Sequence, residues 1–160
     1  MTELAEGAKA PDFDLAADDG SRARLSSHAG QAVVVYFYPK DDTSGCTLEA
    51  RDFSAARKDF DKAGAAVIGI SPDSEASHCK FKEKYDLGVM LAADPDREAI
   101  EAYGVWRQKS MYGRKYMGVE RSTFLVGPDR KIVKVWRNVK VPGHVEDVLA
   151  AVRSLHVAAT

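Results

Sequence analysis

The feature that most restricts the fold is the run AVVVYFY at 32–38, apolar and aromatic throughout and without polar alternation. A strand with one wet face alternates. A strand that does not must be covered on both faces, as the central strands of a sheet with parallel neighbours are. Parallel strands need a crossover connection between them, and the next residues supply one. After a polar loop at 39–45, residues 46–63 carry Leu48, Phe53, Ala56 and Phe60 at three- and four-residue spacing among charges, which predicts an amphipathic helix ended by Gly64. The run AAVIGIS at 65–71 then predicts a second buried strand. Together they form a βαβ unit, whose crossover is right-handed.

The remaining segments arrange themselves around that unit. Residues 8–27 alternate short apolar pairs around Asp18-Asp19-Gly20, predicting an edge hairpin that packs outside the core. Residues 74–86, with Phe81 and Tyr85 four apart, predict a helix; 89–92 a short strand; 97–103 a brief helix started at Asp94-Pro95 and closed by Gly104. The stretch 105–120 mixes Trp106, Tyr112 and Tyr116 with glycine, serine and basic residues, predicting an irregular excursion or loose hairpin. Strands are expected at 121–126 and 131–135 about the turn Gly127-Pro128-Asp129-Arg130, and a helix at 144–155. A βαβ half followed by a ββα half is the thioredoxin arrangement. The expected fold class is therefore α/β, a thioredoxin-like fold with a central mixed sheet flanked by helices and an N-terminal hairpin extension. Its 160 residues suffice for one core, so a single domain over 1–160 is expected, and no internal repeat divides it.

Composition removes several function classes. With 23 basic against 24 acidic residues there is no overall field to attract nucleic acid or anionic lipid. No secretory leader pattern and no apolar run of about 18 residues occurs, which reads as a cytoplasmic protein without a membrane partner. Two cysteines, Cys46 and Cys79, are too few for a disulfide framework. His28, His78, His144 and His156 lack ligand spacing, so no metal or other cofactor is expected, and solvated loop or helix-end positions are assigned to them. Arg107, Lys109, Arg114 and Lys115 are read as solvated, with the neighbouring aromatics packed over the sheet.

Chemistry concentrates where the first buried strand gives way to its helix. There Tyr38-Pro39 leads through Lys40, Asp41, Asp42 and Thr43 to Cys46 in the first helical turn. Open α/β sheets form ligand crevices beyond the carboxyl ends of their strands, and a helix N-terminus offers free amides and partial positive charge, which favours a thiolate, the reactive form. Thr43, three residues before Cys46, can face the same pocket. Two plainer roles stand beside these: Thr43 as a helix N-cap and Cys46 as an inert apolar residue. Glu49 sits where a C-x-x-C dithiol would have its second cysteine, which argues against an ordinary disulfide reductase. Lys40, Asp41 and Asp42 are read as loop decoration.

The segment Pro39-x-x-x-Thr43-x-x-Cys46 resembles the peroxiredoxin signature, and FYPKDDTSGCTLEA is similar to the Q-type, or bacterioferritin comigratory protein, branch. The likeness continues through APDFDL, VIGISPDS, SH with KF and KY, YGVW, GRKYMGVERSTFLV and VPGHVEDVL, in order along nearly the whole chain. It implies a thiol-dependent peroxidase for hydrogen peroxide and organic hydroperoxides, without a cofactor, recycled by a thioredoxin-like protein or small thiol, as a monomer or weak homodimer. It also implies that Cys46 is the peroxidatic cysteine, that Thr43 and Pro39 shape its pocket, and that Arg121 is the active-site arginine. The sequence departs from the family at position 51, where many members carry a resolving cysteine and this chain has Arg51. Cys79, in the following helix but earlier than the family pattern, is the candidate resolving residue. Either it pairs with Cys46 after local unwinding of the helix, or it has a packing role and Cys46 is reduced directly.

Overall fold

The computed structural model describes residues 4–28 and 30–159, with the side chains of 156–159, His156 included, outside that description. Seven strands form one mixed sheet in the order β2-β1-β5-β4-β3-β8-β9. At its centre β3 (Ala32–Phe37), buried at every position, pairs in parallel with β4 (Ala65–Ser71), and β4 with β5 (Met90–Ala93). On the other side β3 pairs antiparallel with β8 (Ser122–Val126), which pairs with β9 (Ile132–Trp136). The helices α1 (Ser44–Ala55), α2 (Arg57–Lys62), α3 (Glu75–Tyr85) and α5 (His144–Ala159) contribute to the apolar cluster on one face. The short α4 (Glu98–Ala102) and the N-terminal segment contribute to the other. This is the thioredoxin-like α/β architecture that the sequence predicts. Among the described residues no helix is long and apolar enough to cross a membrane.

Three local expectations need correction. The hairpin of β1 (Asp14–Ala17) and β2 (Arg22–Arg24) does not pack outside the core: β1 pairs with β5, and Leu15, Ala17 and Ala23 are buried. The predicted helix 46–63 is two helices interrupted at Ala56. Nearby, the Ser54 hydroxyl donates to the Ala50 carbonyl (2.7 Å) and accepts from the Gly88 amide (2.9 Å), a back-bond that bends helices. For residues 105–120, expected as an irregular excursion or loose hairpin, the structure shows the hairpin. They form β6 (Trp106–Met111) and β7 (Arg114–Val119) in continuous antiparallel register about a two-residue turn, Tyr112-Gly113, with both φ angles positive (52° and 77°). Not all their aromatics cover the sheet, however: Trp106 packs against the core and under Arg97, whereas Tyr112 is 99% exposed.

Helix α1 is docked on the sheet by an aromatic stack. Tyr36 on β3 lies 4.5 Å, centroid to centroid, from Phe53 on α1, and Tyr38 stacks on it at 5.7 Å. The Tyr36 ring passes over Gly69 on β4, where a Cβ would stand 2.6 Å from Tyr36 Cζ and its hydroxyl oxygen. The buried ring has nowhere to move. Gly69→Ala is therefore expected to destabilise the fold by about 1–3 kcal/mol through overpacking, measured as a lowered urea midpoint with unchanged slope.

Candidate active site

From Phe37 the chain turns through 38–43 into α1, with Pro39 half-buried in the loop. Thr43 holds the N-cap position in extended conformation, but its hydroxyl donates to the Lys40 carbonyl (2.9 Å) and makes no side-chain cap. Its oxygen keeps acceptor capacity for a ligand. The Thr47 amide bonds the Thr43 carbonyl, so the amides of Ser44, Gly45 and Cys46 precede the first intrahelical bond. Cys46, in that first turn, is 1% exposed.

The register of β8 on β3 brings in the cation. Phe37 is paired with Ser122, so the residue just before β8 lies beside the loop that leaves β3. That residue is Arg121. Its Nη2 donates to Cys46 Sγ at 3.3 Å and its Nη1 to Glu49 Oε1 at 2.6 Å. Gly45 makes the approach possible, since a Cβ there would be 3.1 Å from Nη2.

Glu49 is the residue that sequence reasoning missed. It is fully buried, one turn beyond Cys46, and its Oε2 has no hydrogen-bond partner. Burial pushes its carboxyl up to about 7, against the opposing pull of Arg121. The available signal was spacing: residues three apart on a helix share a face, so a buried Cys46 implies a buried Glu49. Lys109, expected to be merely solvated, also feels the site. Burial, then the Arg121 charge, holds its ammonium below the ordinary value, while Cys46 and Glu120 act in the opposite direction.

The structure relocates other predicted residues. Asp41 is no loop decoration; it is 7% exposed and bonded to Tyr38, Ser77 and His78. Asp42 accepts from Lys84 and Tyr85. His78 is fully buried, and His144, also buried, lies 2.8 Å from the Thr123 hydroxyl with its pKa lowered by burial to about 4. His28 sits in a 3-10 turn beside Gln31. Cys79 is exposed on α3 and donates to the Asp18 carbonyl at 2.9 Å. Asp18 follows β1, and both β5 and β4 stand between β1 and β3. Three strand spacings are about 14 Å. The structure thus brings Arg121 onto Cys46, leaves Thr43 exposed at the N-cap with its hydroxyl on the Lys40 carbonyl, and directs Cys79 toward the β1 side of the sheet.

A cysteine at a helix start, under an arginine delivered by the neighbouring strand, is matched by the AhpC/TSA family model over residues 7–135. The chain belongs to this family, in its peroxiredoxin Q branch. It is 45% identical to peroxiredoxin Bcp of Bacillus subtilis over 149 residues, covering 93% of this chain and 95% of the relative. A Xanthomonas campestris bacterioferritin comigratory protein, solved in work on its alkyl peroxide reduction activity, superposes with TM-score 0.89 at 42% identity, covering 95% of this chain and 99% of that one. A Xylella fastidiosa PrxQ mutant gives 0.91 at 36% identity, covering 96% and 98%. The chain is a thiol-dependent peroxidase, taking a peroxide as substrate and a thiol as reductant.

The Glu49 titration has a signed consequence. Its ordinary pKa of 4.5 rises to about 7 in the fold, so the stability associated with this group is fully present below 4.5 and is lost as pH climbs to about 7. In Glu49→Gln that decline, about 3 kcal/mol at full size, should be absent. Urea unfolding at several pH values across the window measures it, and parallel curves for both proteins would dissociate Glu49 from the pH dependence.

Proposed function

We propose that Cys46 is the peroxidatic residue, that Arg121, Thr43 and Pro39 form its peroxide pocket, and that its oxidised form is reduced directly by an external thiol. The observation that carries this is the Arg121 Nη2–Cys46 Sγ contact of 3.3 Å beside free helix-start amides. The guanidinium is permanently charged, stabilises a thiolate, and stabilises the charge that develops as the O–O bond breaks. The sulfur attacks one peroxide oxygen, the O–O bond breaks, and the departing alkoxide or hydroxide takes a proton from water, leaving a sulfenic acid and an alcohol or water. The Thr43 hydroxyl and the Cys46 amide hold the peroxide in line. Pro39 adds a water-excluding wall without a competing N–H.

The sulfenic acid then condenses with an incoming thiol to a mixed disulfide and water, and a second thiol releases Cys46 as the thiol and leaves as the disulfide. A thioredoxin-like protein or a small thiol fits this role. What supports direct reduction is the exposed Cys79 thiol, bonded to the Asp18 carbonyl beyond β1, three strands from β3, since a disulfide requires Cα atoms within about 7 Å.

Oxidation with one equivalent of hydrogen peroxide, without added thiol, tests the route by intact mass under nonreducing conditions. Oxygen addition in both wild type and Cys79→Ser is expected; loss of two hydrogens in the wild type alone would overturn direct reduction in favour of a Cys46–Cys79 bond. Cys46→Ser should abolish turnover. Arg121→Lys, which loses the planar fork, should lower the second-order rate constant with peroxide by about 10²-fold or more, read by stopped-flow.

A further inference from the structure

The loop carrying Pro39 and Thr43 is held by a buried polar cluster that the peroxidase chemistry above does not use. Asp41 lies midway along it. Its Oδ1 accepts from the Tyr38 hydroxyl (2.6 Å), and its Oδ2 accepts from the Ser77 hydroxyl (2.7 Å) and faces His78 Nδ1 (2.7 Å). Its amide donates to Asp73 Oδ2 (2.8 Å), which also accepts from the Ser71 hydroxyl (2.6 Å). The loop is thereby tied to the β4–α3 connection and to α3 itself.

His78 is enclosed, 0% exposed, and both its ring nitrogens face acceptors. Nδ1 meets the Asp41 carboxylate, and Nε2 lies 3.0 Å from the Ala92 carbonyl oxygen on β5. A carbonyl can only accept, and so can an ionised carboxylate. Burial acts to raise the Asp41 carboxyl, but the hydrogen bonds from His78, Tyr38 and Ser77 outweigh it and hold the group below its ordinary value. Both ring contacts are hydrogen bonds only when both nitrogens carry protons, so the imidazolium satisfies the site and the neutral ring leaves one buried acceptor unmatched. The groups that face the ring are Asp41 from the loop, Tyr38 just after β3 (hydroxyl 3.4 Å from Nδ1) and the Ala92 carbonyl from β5, while Ser77 on its own helix bonds the Asp41 carboxylate. Asp73 adds a second carboxylate through the Asp41 amide.

We propose that the Asp41–His78 ion pair is a positioning latch for the peroxidatic loop. With both ring nitrogens protonated it holds 39–43 against the turn that carries Cys46; when the ring gives up a proton, one buried bond is lost, the loop loosens, and the sulfur is opened to the reductant. Asp41 and His78 are positioning residues, acting through the segment that carries Thr43. The latch favours peroxide attack while both ring nitrogens carry protons and thiol access once one proton is gone. The proposal rests on Cys46 being the peroxidatic residue.

The test needs no peroxide, so its outcome is separable from that of the Cys46→Ser assay. Nitrogen-15 NMR of the histidine rings in the wild type reads the protonation of His78. Hydrogen exchange of residues 40–47, corrected for intrinsic chemistry, reads the loop across the same pH range. Expected are two protonated ring nitrogens on the acid side, and about a tenfold or greater fall in loop protection as one proton leaves. His78→Asn and Asp41→Asn, checked for folding by circular dichroism, should show low protection without a pH step, whereas a merely structural role would lower protection but leave the step. A neutral His78 ring throughout, a ring that keeps both protons up to alkaline unfolding, or a titration that leaves loop protection unchanged would each overturn the latch. The wild-type measurements alone are decisive if a variant fails to fold.

Discussion

One guanidinium stands between two groups that each want its charge. Arg121 bonds the Cys46 sulfur and the Glu49 carboxyl at once, and much of the site is arranged to keep that sharing in place. The antiparallel register of β8 on β3 sets Arg121 beside the loop. Gly45 leaves room for it to pass. Glu49 is buried where its own ionisation is resisted, so the arginine is anchored without being fully neutralised. In a buried setting of reduced dielectric a fully ionised partner would take more of the field that the thiolate requires.

The aromatic stack and the polar cluster act on opposite ends of the same problem. Tyr36 and Phe53 fix where α1 lies on the sheet, through a contact that Gly69 permits. Asp41 and its partners fix how the chain enters α1. The first is apolar and insensitive to pH; the second is ionic. Cys46, between them, is held by a scaffold whose position is rigid and whose entrance is adjustable.

Much of this was legible in the sequence. Buried parallel strands announce themselves as uninterrupted apolar runs, and β3 and β4 fall where such runs occur. The buried face of α1 differs from the apolar spacing for a physical reason: Leu48, one of the apolar positions of that pattern, is 44% exposed, while the charged Glu49 is fully buried. Polarity normally sets the phase, and here a buried carboxylate paired with Arg121 overrides it. The regularity of β6 and β7 was hidden because much of that hairpin is exposed, leaving no clean apolar alternation to detect. The partners of His78 and Asp41 lie 37 residues apart in the chain, and only the fold brings them together. The two-cysteine question turned on direction, since a helical position tells which turn a thiol occupies but not which neighbour it meets.

The interruption of the first long helix at Ala56 gives the molecule a mechanical fuse. Helical order spreads cooperatively along a continuous segment, so fraying that starts at Ser44 has a natural stopping point where α1 ends at Ala55. Beyond the break, Phe60 on α2 stays seated in the apolar cluster shared with α5. The turn that carries Cys46 is thereby uncoupled from the helical order of α2, although Cys46, Ala50 and Phe53 themselves belong to that cluster.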